Sequence, residues 1–212
     1  MNLALFDFDG TVTTSDTWTP FIRESATRPR ALAAVLLLSP VIAGYKLGIV
    51  SARTSRPMVA WFAFRGRSAA DVRELGRKYA AEILPDVVRP FAIERIHWHR
   101  TRGDDVVVVS ASLDVYLRAW CSSHGVDLIC TRLEERQGML TGHYVGGECS
   151  GEEKARRIRA RYDLSRYAVV YAYGDTDEDR EMLAMAHEKY YRWQRVHQLD
   201  SLSVRHPDRR HV

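Results

Sequence analysis

A chain of 212 residues, 46% hydrophobic and 27% charged, has the make-up of an ordinary globular protein with one good core, or a core carrying a smaller inserted unit. Its net charge of +4 is mild, only four of its 31 basic residues are lysine, and no basic block marks a nucleic-acid reader, so that class is set aside. Cys121, Cys130 and Cys149 are an odd number without metal-ligand spacing and read as free thiols of a reducing cytosol, while "MNLALFDFDG" lacks the basic start of an export signal, so a cytoplasmic location is expected.

Asn2 to Phe8 reads as a short buried strand closed by Gly10. From Asp16 to Tyr79 the pattern is helical, broken near Pro40 and Gly66, with no convincing strand. Inside it, Ala31 to Tyr45 carries no charge. A spanning helix needs about 20 apolar residues, and this run holds Pro40, so a buried or groove-lining helix pair is expected rather than membrane insertion. Pro85 to Arg100 is a further helix that Pro90 bends or splits. Val106 to Val109 is a second buried strand, and "LDVYLRAWCSSHG" an amphipathic helix ending at Gly125. "VDLICTRL" is a third strand, "EERQGMLTGHYVGGE" a hairpin, and "SGEEKARRIRARY" a polar helix. "YAVVYAYGD" is a fourth strand, "TDEDREMLAMA" the helix after it, and "KYYRW" a short last strand. The remainder from Gln194 is polar, basic and expected to be loose.

Strands alternating with helices make this an α/β chain with a Rossmann-like parallel sheet. The helical stretch is too long for a crossover and reads as an inserted helical cap. The expected division is a core of residues 1–15 and 81–195, a cap of 16–80 and a tail of 196–212.

In such a sheet, ligands bind beyond the carboxyl ends of the strands. Asp7 and Asp9 end the first strand, Ser110 and Ser112 the second, Gly174 and Asp175 the fourth, and Lys154 lies on the helix after the hairpin. Two carboxylates two residues apart in an extended segment share one side. They serve a metal site, an acid/base pair, or a nucleophile with an acid partner. With Asp175 the donors are all oxygen, which suits Mg²⁺ better than zinc. The Ser110 hydroxyl and the main-chain N–H groups that follow it suit a phosphate. A carboxylate near a phosphate dianion meets repulsion of several kcal/mol, so a cation and Lys154 belong to the same design.

"DFDGT", "VVVVSAS", "GEEKARRI" and "YGDTDED", in this order, resemble the four motifs of the haloacid dehalogenase superfamily of phosphatases, and the helical insertion resembles the cap of its phosphoserine-phosphatase-like branch, subfamily IB. The resemblance implies a Mg²⁺-dependent phosphomonoesterase. Asp7 would be the nucleophile that becomes an aspartyl phosphate. Asp9 would be the general acid and then base, with its backbone carbonyl on the metal. Gly10, Ser110, Ala111 and Lys154 would hold phosphate, with Lys154 also steadying the nucleophile. Asp7, Asp9 and Asp175 would form the metal site, supported by Thr11 and Asp179. Asp16 would meet a substrate amine, and a cap arginine such as Arg56 would reach the substrate. Glu178 stands where the family more often has a small or amide residue.

The expected partner is a small phosphate ester, phosphoserine or another amino-alcohol phosphate, with no nucleic acid and no stable membrane insertion. No oligomeric interface is read from the sequence. Two alternatives stand beside hydrolysis: phosphate transfer to an acceptor other than water, and lipid-phosphate or membrane-surface binding through the apolar cap.

Overall fold

The computed structural model describes residues 1–27, 30, 36–41, 43, 44, 47, 49 and 51–198, without the side chains of Ala52 and Arg53. Its main sheet has the order β3-β2-β1-β6-β7-β8, with β1 Leu3–Phe6, β2 Asp105–Leu113, β3 Asp127–Thr131, β6 Val170–Gly174, β7 Glu188–Tyr191 and β8 Gln194–Val196. The first five pair in parallel and β8 closes the edge antiparallel to β7. This is the Rossmann-like sheet the alternation predicted, with β1 at its centre and completely buried.

The period of two along the strands builds two cores. Ala4, Phe6, Val106, Val108 and Tyr173 face one side. Leu3, Leu5, Val107, Val109 and Ala172 face the other. On the first side, α5 Pro90–Thr101 contributes Ala92 and Ile96, and α6 Asp114–His124 contributes Tyr116, Leu117 and Trp120. Ile158 of α7 Glu152–Arg161, and Met182 and Leu183 of α8 Arg180–Ala184, cover the second side.

The helices predicted as a cap are α1 Trp18–Ser25, α2 Ala52–Phe64 and α3 Ala69–Glu82. Their Phe21, Phe64, Val72 and Tyr79 share the first core with Phe6 and Phe8. α3 crosses α6 so closely that a Cβ on Gly76 would lie 2.0 Å from the Val115 carbonyl oxygen. The division expected near residue 80 falls inside α3. A small hairpin, β4 Leu133–Arg136 and β5 Met139–Tyr144, docks on the same helices: Gly66 N–H donates to Leu140 O at 2.8 Å and Leu140 N–H to Arg67 O at 2.8 Å.

Pro90 splits its helix, one of the two outcomes expected of it: α4 Leu84–Val87 ends and α5 begins with Pro90, whose missing N–H is harmless in a first turn. Several other expectations change. Among its described residues, the segment read as free of strand holds a bridge, Ser68 to Met139. The second strand runs on to Leu113, with a register shift between Ser110 and Leu113. Gln194–Val196, read as loose, is a strand, because main-chain pairing through the Arg192–Trp193 turn needs no apolar side chain; residues 199–212 of the expected tail lie outside the described residues. Of the uncharged stretch expected to be buried, Leu38 is 3% exposed but Leu36 and Leu37 are 70% and 64% exposed.

All three cysteines are free and buried, as expected. His99 lies buried between the Asp104 carboxylate and the Tyr173 hydroxyl, 2.9 Å from each. Burial holds its ring below the usual histidine range, against the pull of Asp104.

Candidate active site

Parallel register brings three chain segments to one edge. Phe6 is level with Val108 and with Tyr173, so Asp7 and Asp175 follow neighbouring strand ends, and Ser110 lies beside them in the last part of β2. The Asp7 N–H still donates to Tyr173 O at 2.9 Å, fixing where the strand stops. The chain then turns through Gly10, at φ +84°, where a Cβ would lie 2.3 Å from Asp175 Oδ2. Only glycine accommodates both that conformation and that approach. Thr11 Oγ1 donates to Asp175 Oδ1 at 3.2 Å, tying the two loops together. Gly10→Ala is therefore expected to displace Asp175 by a fraction of an ångström or more. A shift of that order costs turnover about 10²-fold, with a lower melting temperature; assay and thermal melt on one preparation check both.

Lys154 organises the acids. It sits in the first turn of α7 and is 2% exposed, and its Nζ donates to Asp7 Oδ1 at 2.5 Å and to Asp179 Oδ1 at 2.6 Å. Asp179 is fully buried, and its Oδ2 accepts from the N–H groups of Asp175 and Thr176 at 3.1 and 3.2 Å and from Thr176 Oγ1 at 3.3 Å. It thus holds Lys154 with one oxygen and shapes the Asp175 loop with the other. Oxygens of Asp7, Asp175 and Asp179 all lie within 4.8 Å of one another.

Two buried acids, Asp7 and Asp179, and the half-buried Asp175 against one lysine leave the cluster overcharged. Burial, then Asp179, raise the Asp7 carboxyl well above its ordinary range despite Lys154. Burial and Asp179 push Asp175 up to about 6, against the hydrogen bond from Thr11. Burial works against the charge on Lys154, but Asp179 and Asp7 outweigh it and raise its pKa. The excess negative charge and the hard oxygen donors fit a divalent cation such as Mg²⁺.

Asp9 has separate partners. One oxygen accepts from the Thr17 N–H at 2.7 Å and the Thr17 hydroxyl at 2.5 Å, and the other from Ser112 Oγ at 2.5 Å. Its side chain is not in the acidic cluster. Burial first, then the charge of Asp16, raise its pKa, while Ser112 and Thr17 oppose. Ser110 is 1% exposed, and its Oγ accepts from the Ser112 N–H at 3.0 Å. Ser110 and Ala111 lie in the irregular end of β2, not beyond it, so the N–H groups expected to follow the strand belong to the strand itself.

Around the mouth, Asp16 accepts from the Trp18 and Thr19 N–H groups at 3.2 and 3.0 Å, capping α1. Arg56 of α2 lies 3.4 Å from Glu148 and 3.9 Å from Glu178. Burial lowers the Arg56 pKa, but Glu148, Glu178, Asp16 and Asp9 raise it by more. Glu178, the departure from the family pattern, thus has a partner on the predicted cap. The structure gathers Asp7, Lys154, Asp175, Asp179, Gly10 and Thr11 directly. It leaves Asp16 and Arg56 at the rim. Thr17 and Glu148 went unremarked in the sequence because each acquires its role from a partner 8 and 92 positions away.

Fold and strand-end acids together define a hydrolase of the haloacid dehalogenase type. Over residues 4–184 the chain matches the haloacid dehalogenase-like hydrolase family, and it belongs to that family. Protein CicA of Caulobacter vibrioides is 33% identical over 192 residues, which cover 90% of this chain and 85% of that protein. The histidinol-phosphatase of Neisseria meningitidis serogroup C is 26% identical over 128 residues, 57% of this chain and 58% of that enzyme. A solved phospho-aspartyl intermediate analogue of phosphoserine phosphatase is similar in fold, with a TM-score of 0.62 at 20% identity, covering 90% of this chain and 85% of that one. The chain is an enzyme of the phosphatase class, and the resemblance read from its four motifs holds.

Proposed function

We propose that the enzyme hydrolyses a small phosphate monoester through an aspartyl phosphate on Asp7. The observation that carries this reading is the Asp7 carboxylate held by Lys154 at an open strand end, beside Asp175 and Asp179. A carboxylate oxygen of Asp7 attacks phosphorus, and the bond from phosphorus to the ester oxygen breaks. Asp9, whose raised pKa favours keeping a proton, gives that proton to the leaving alkoxide. Asp9 then takes a proton from water, whose oxygen attacks phosphorus and frees both phosphate and Asp7. Ser110, the main-chain N–H groups of Gly10 and Ala111, and Lys154 hold the phosphate oxygens. Asp7, Asp175 and the Asp9 backbone carbonyl would hold Mg²⁺, with Asp179 in support. When bound, the ion supplies positive charge that offsets repulsion between carboxylate and phosphate.

The test is phosphate release from a panel of esters, with Mg²⁺ and with EDTA. Turnover should fall to background in EDTA and return with added Mg²⁺. Metal-independent turnover, or none with any ester, would overturn the reading.

Residues 16–80 act in this proposal as the cap that selects the leaving group. Arg56 is already engaged by Glu148 and Glu178, and Asp16 adds another acid at the rim. That balance favours an amine-bearing alcohol over a carboxylate-bearing one. Because Asp16 also caps α1, Asp16→Asn is the informative change: asparagine caps as well as aspartate but carries no charge. Loss of a charge-assisted contact of about 1.5–3 kcal/mol lowers kcat/KM by one to two decades on histidinol phosphate or phosphoethanolamine. p-Nitrophenyl phosphate should be turned over unchanged. An equal loss on both would assign Asp16 to structure alone.

A further inference from the structure

Thr17 stands at the start of α1, where a threonine hydroxyl ordinarily accepts from the helix's own N–H groups. Here it caps nothing. Asp16 takes the Trp18 and Thr19 N–H groups, and the buried Thr17 side chain turns to Asp9. The main-chain N–H and the hydroxyl of Thr17 both donate to Oδ1 of Asp9, at 2.7 and 2.5 Å. Among the described residues, Oδ2 takes a single donor, Ser112 Oγ.

Behind Thr17 lies a second layer of donors. A hydroxyl has one proton to give. Thr17 spends its own on Asp9 and so accepts at Oγ1 from the Tyr116 hydroxyl, 3.0 Å away. Burial, with the charge of Asp9, holds Tyr116 well above the usual tyrosine range, so it keeps the proton that it donates. The Tyr79 hydroxyl donates to the Thr17 carbonyl oxygen at 3.0 Å. Tyr79 belongs to α3 and Tyr116 to α6, and Phe21 of α1 packs against both. Its ring centre lies 5.2 Å from that of Tyr79 and 4.8 Å from that of Tyr116, which are 5.3 Å from each other. Three helices thus lock the residue that locks Asp9.

A carboxylate oxygen with two lone pairs and two donors has no place left for a proton, whereas one with a single donor has. Acid catalysis needs one oxygen to carry the proton within hydrogen-bond reach of the leaving oxygen. We propose that Thr17, held by Tyr116 and Tyr79, is the positioning residue of Asp9: it fills Oδ1 with two donors and leaves Oδ2 to carry the transferable proton. This rests on the reading of Asp9 as the acid. As the bond from phosphorus to the ester oxygen breaks, that oxygen takes the proton from Oδ2, and the electron pair of the O–H bond stays on Asp9 as carboxylate. The contacts from Thr17 and Ser112 fix the plane of the carboxyl group, so the proton leaves in a set direction.

Benzyl phosphate and p-nitrophenyl phosphate test this. The two esters are similar in size, but the benzyl alkoxide needs a proton to leave and the nitrophenoxide does not. kcat/KM covers the steps up to departure of the alcohol and so isolates the donation. Thr17→Val keeps the shape and the main-chain donor but removes the hydroxyl. It should lower kcat/KM on benzyl phosphate about 10²-fold, as a misplacement of about 1 Å does, and the fall with p-nitrophenyl phosphate should be at least about tenfold smaller. Tyr116→Phe removes a hydroxyl that bonds Thr17, and should show the same preference with a fall of about tenfold. Thr17→Ser returns the hydroxyl and should return the benzyl phosphate rate with it. A circular dichroism spectrum and a thermal melt report folding; should Thr17→Val fail them, Tyr116→Phe carries the test. Equal falls on the two esters, or no fall, would overturn the positioning role. Asp9→Asn, assayed beside them, separates the two claims. An equal fall on both esters in that variant would remove Asp9 as the acid. A fall concentrated on benzyl phosphate there, with equal falls in Thr17→Val and Tyr116→Phe, would overturn the positioning role alone.

Discussion

Asp7→Asn is expected to abolish turnover by about 10⁴-fold or more while leaving the fold at least as stable as the wild type. Asparagine has nearly the same shape but is a far poorer nucleophile than a carboxylate. Its folding cost is small because Lys154 keeps Asp179 at 2.6 Å. The acid it replaces is unfavourable in place: burial and Asp179 hold the Asp7 carboxyl well above its ordinary range. A carboxyl raised on folding stabilises below its unfolded pKa, about 4, and that contribution is lost as pH rises through the folded value. The variant should therefore melt at or above the wild-type temperature near pH 8, with a smaller difference near pH 5. Such an exchange of stability for activity is common where function needs concentrated like charge. Retention of more than a few per cent of activity with unchanged metal dependence would exclude the aspartyl phosphate.

How much of this was legible beforehand follows from the range of the interactions. β1, β2 and β6 were readable because they are almost wholly buried parallel strands, which leave continuous apolar runs before a polar stop. Asp7 and Asp175 were readable because those stops fall on acids, and Lys154 because it is one of only four lysines in an arginine-rich chain. β8 was not readable, since Gln194 and Arg195 pair through their backbones. The end of β2 was misread because Ser110, Ala111 and Ser112 look like a helix start, and only register against β3 shows the strand continuing. The Arg56–Glu148–Glu178 contact was invisible: its members sit in three elements far apart in sequence.

That rim contact also links the two halves of the reading. Arg56 comes from α2, Glu148 from the loop before α7, and Glu178 from the turn that carries Asp179. The Gly151 N–H donates to Glu178 O at 3.0 Å, which ties the start of α7, where Lys154 sits, to the turn that follows Asp175. An arginine held by both loops sets the position of the predicted cap against the reacting groups. The acids that engage it leave the rim poor in positive charge for a substrate carboxylate.

Lys154→Met should cost both activity and stability, and the stability loss should depend on pH. Methionine matches the length of lysine but removes the cation from Asp7 and Asp179, leaving two buried carboxylates and the half-buried Asp175 uncompensated. Removing one partner of a buried ion pair typically costs about 3–5 kcal/mol. For a chain of this size that is a fall of roughly 10–15 °C in melting temperature. Turnover should fall by several orders of magnitude, since the nucleophile loses its fixed donor and the phosphate its cation. Lysine itself contributes no pH dependence in the working range. Its folded pKa is raised, so its stabilisation is intact below the unfolded value near 10.4 and fades only above that. The acids behave differently. Asp175 already titrates at about 6, and Asp7 is raised well above its ordinary range with Lys154 present. Without the lysine both rise further. Each stabilises when protonated, below about 4, and loses that contribution as pH rises through its folded value. The deficit of the variant should thus be small near pH 4–5 and grow until well above pH 6. Urea titrations of both proteins at pH 5 and pH 8 measure it. A deficit that is the same at the two values would mean that Lys154 holds the site by packing rather than by charge.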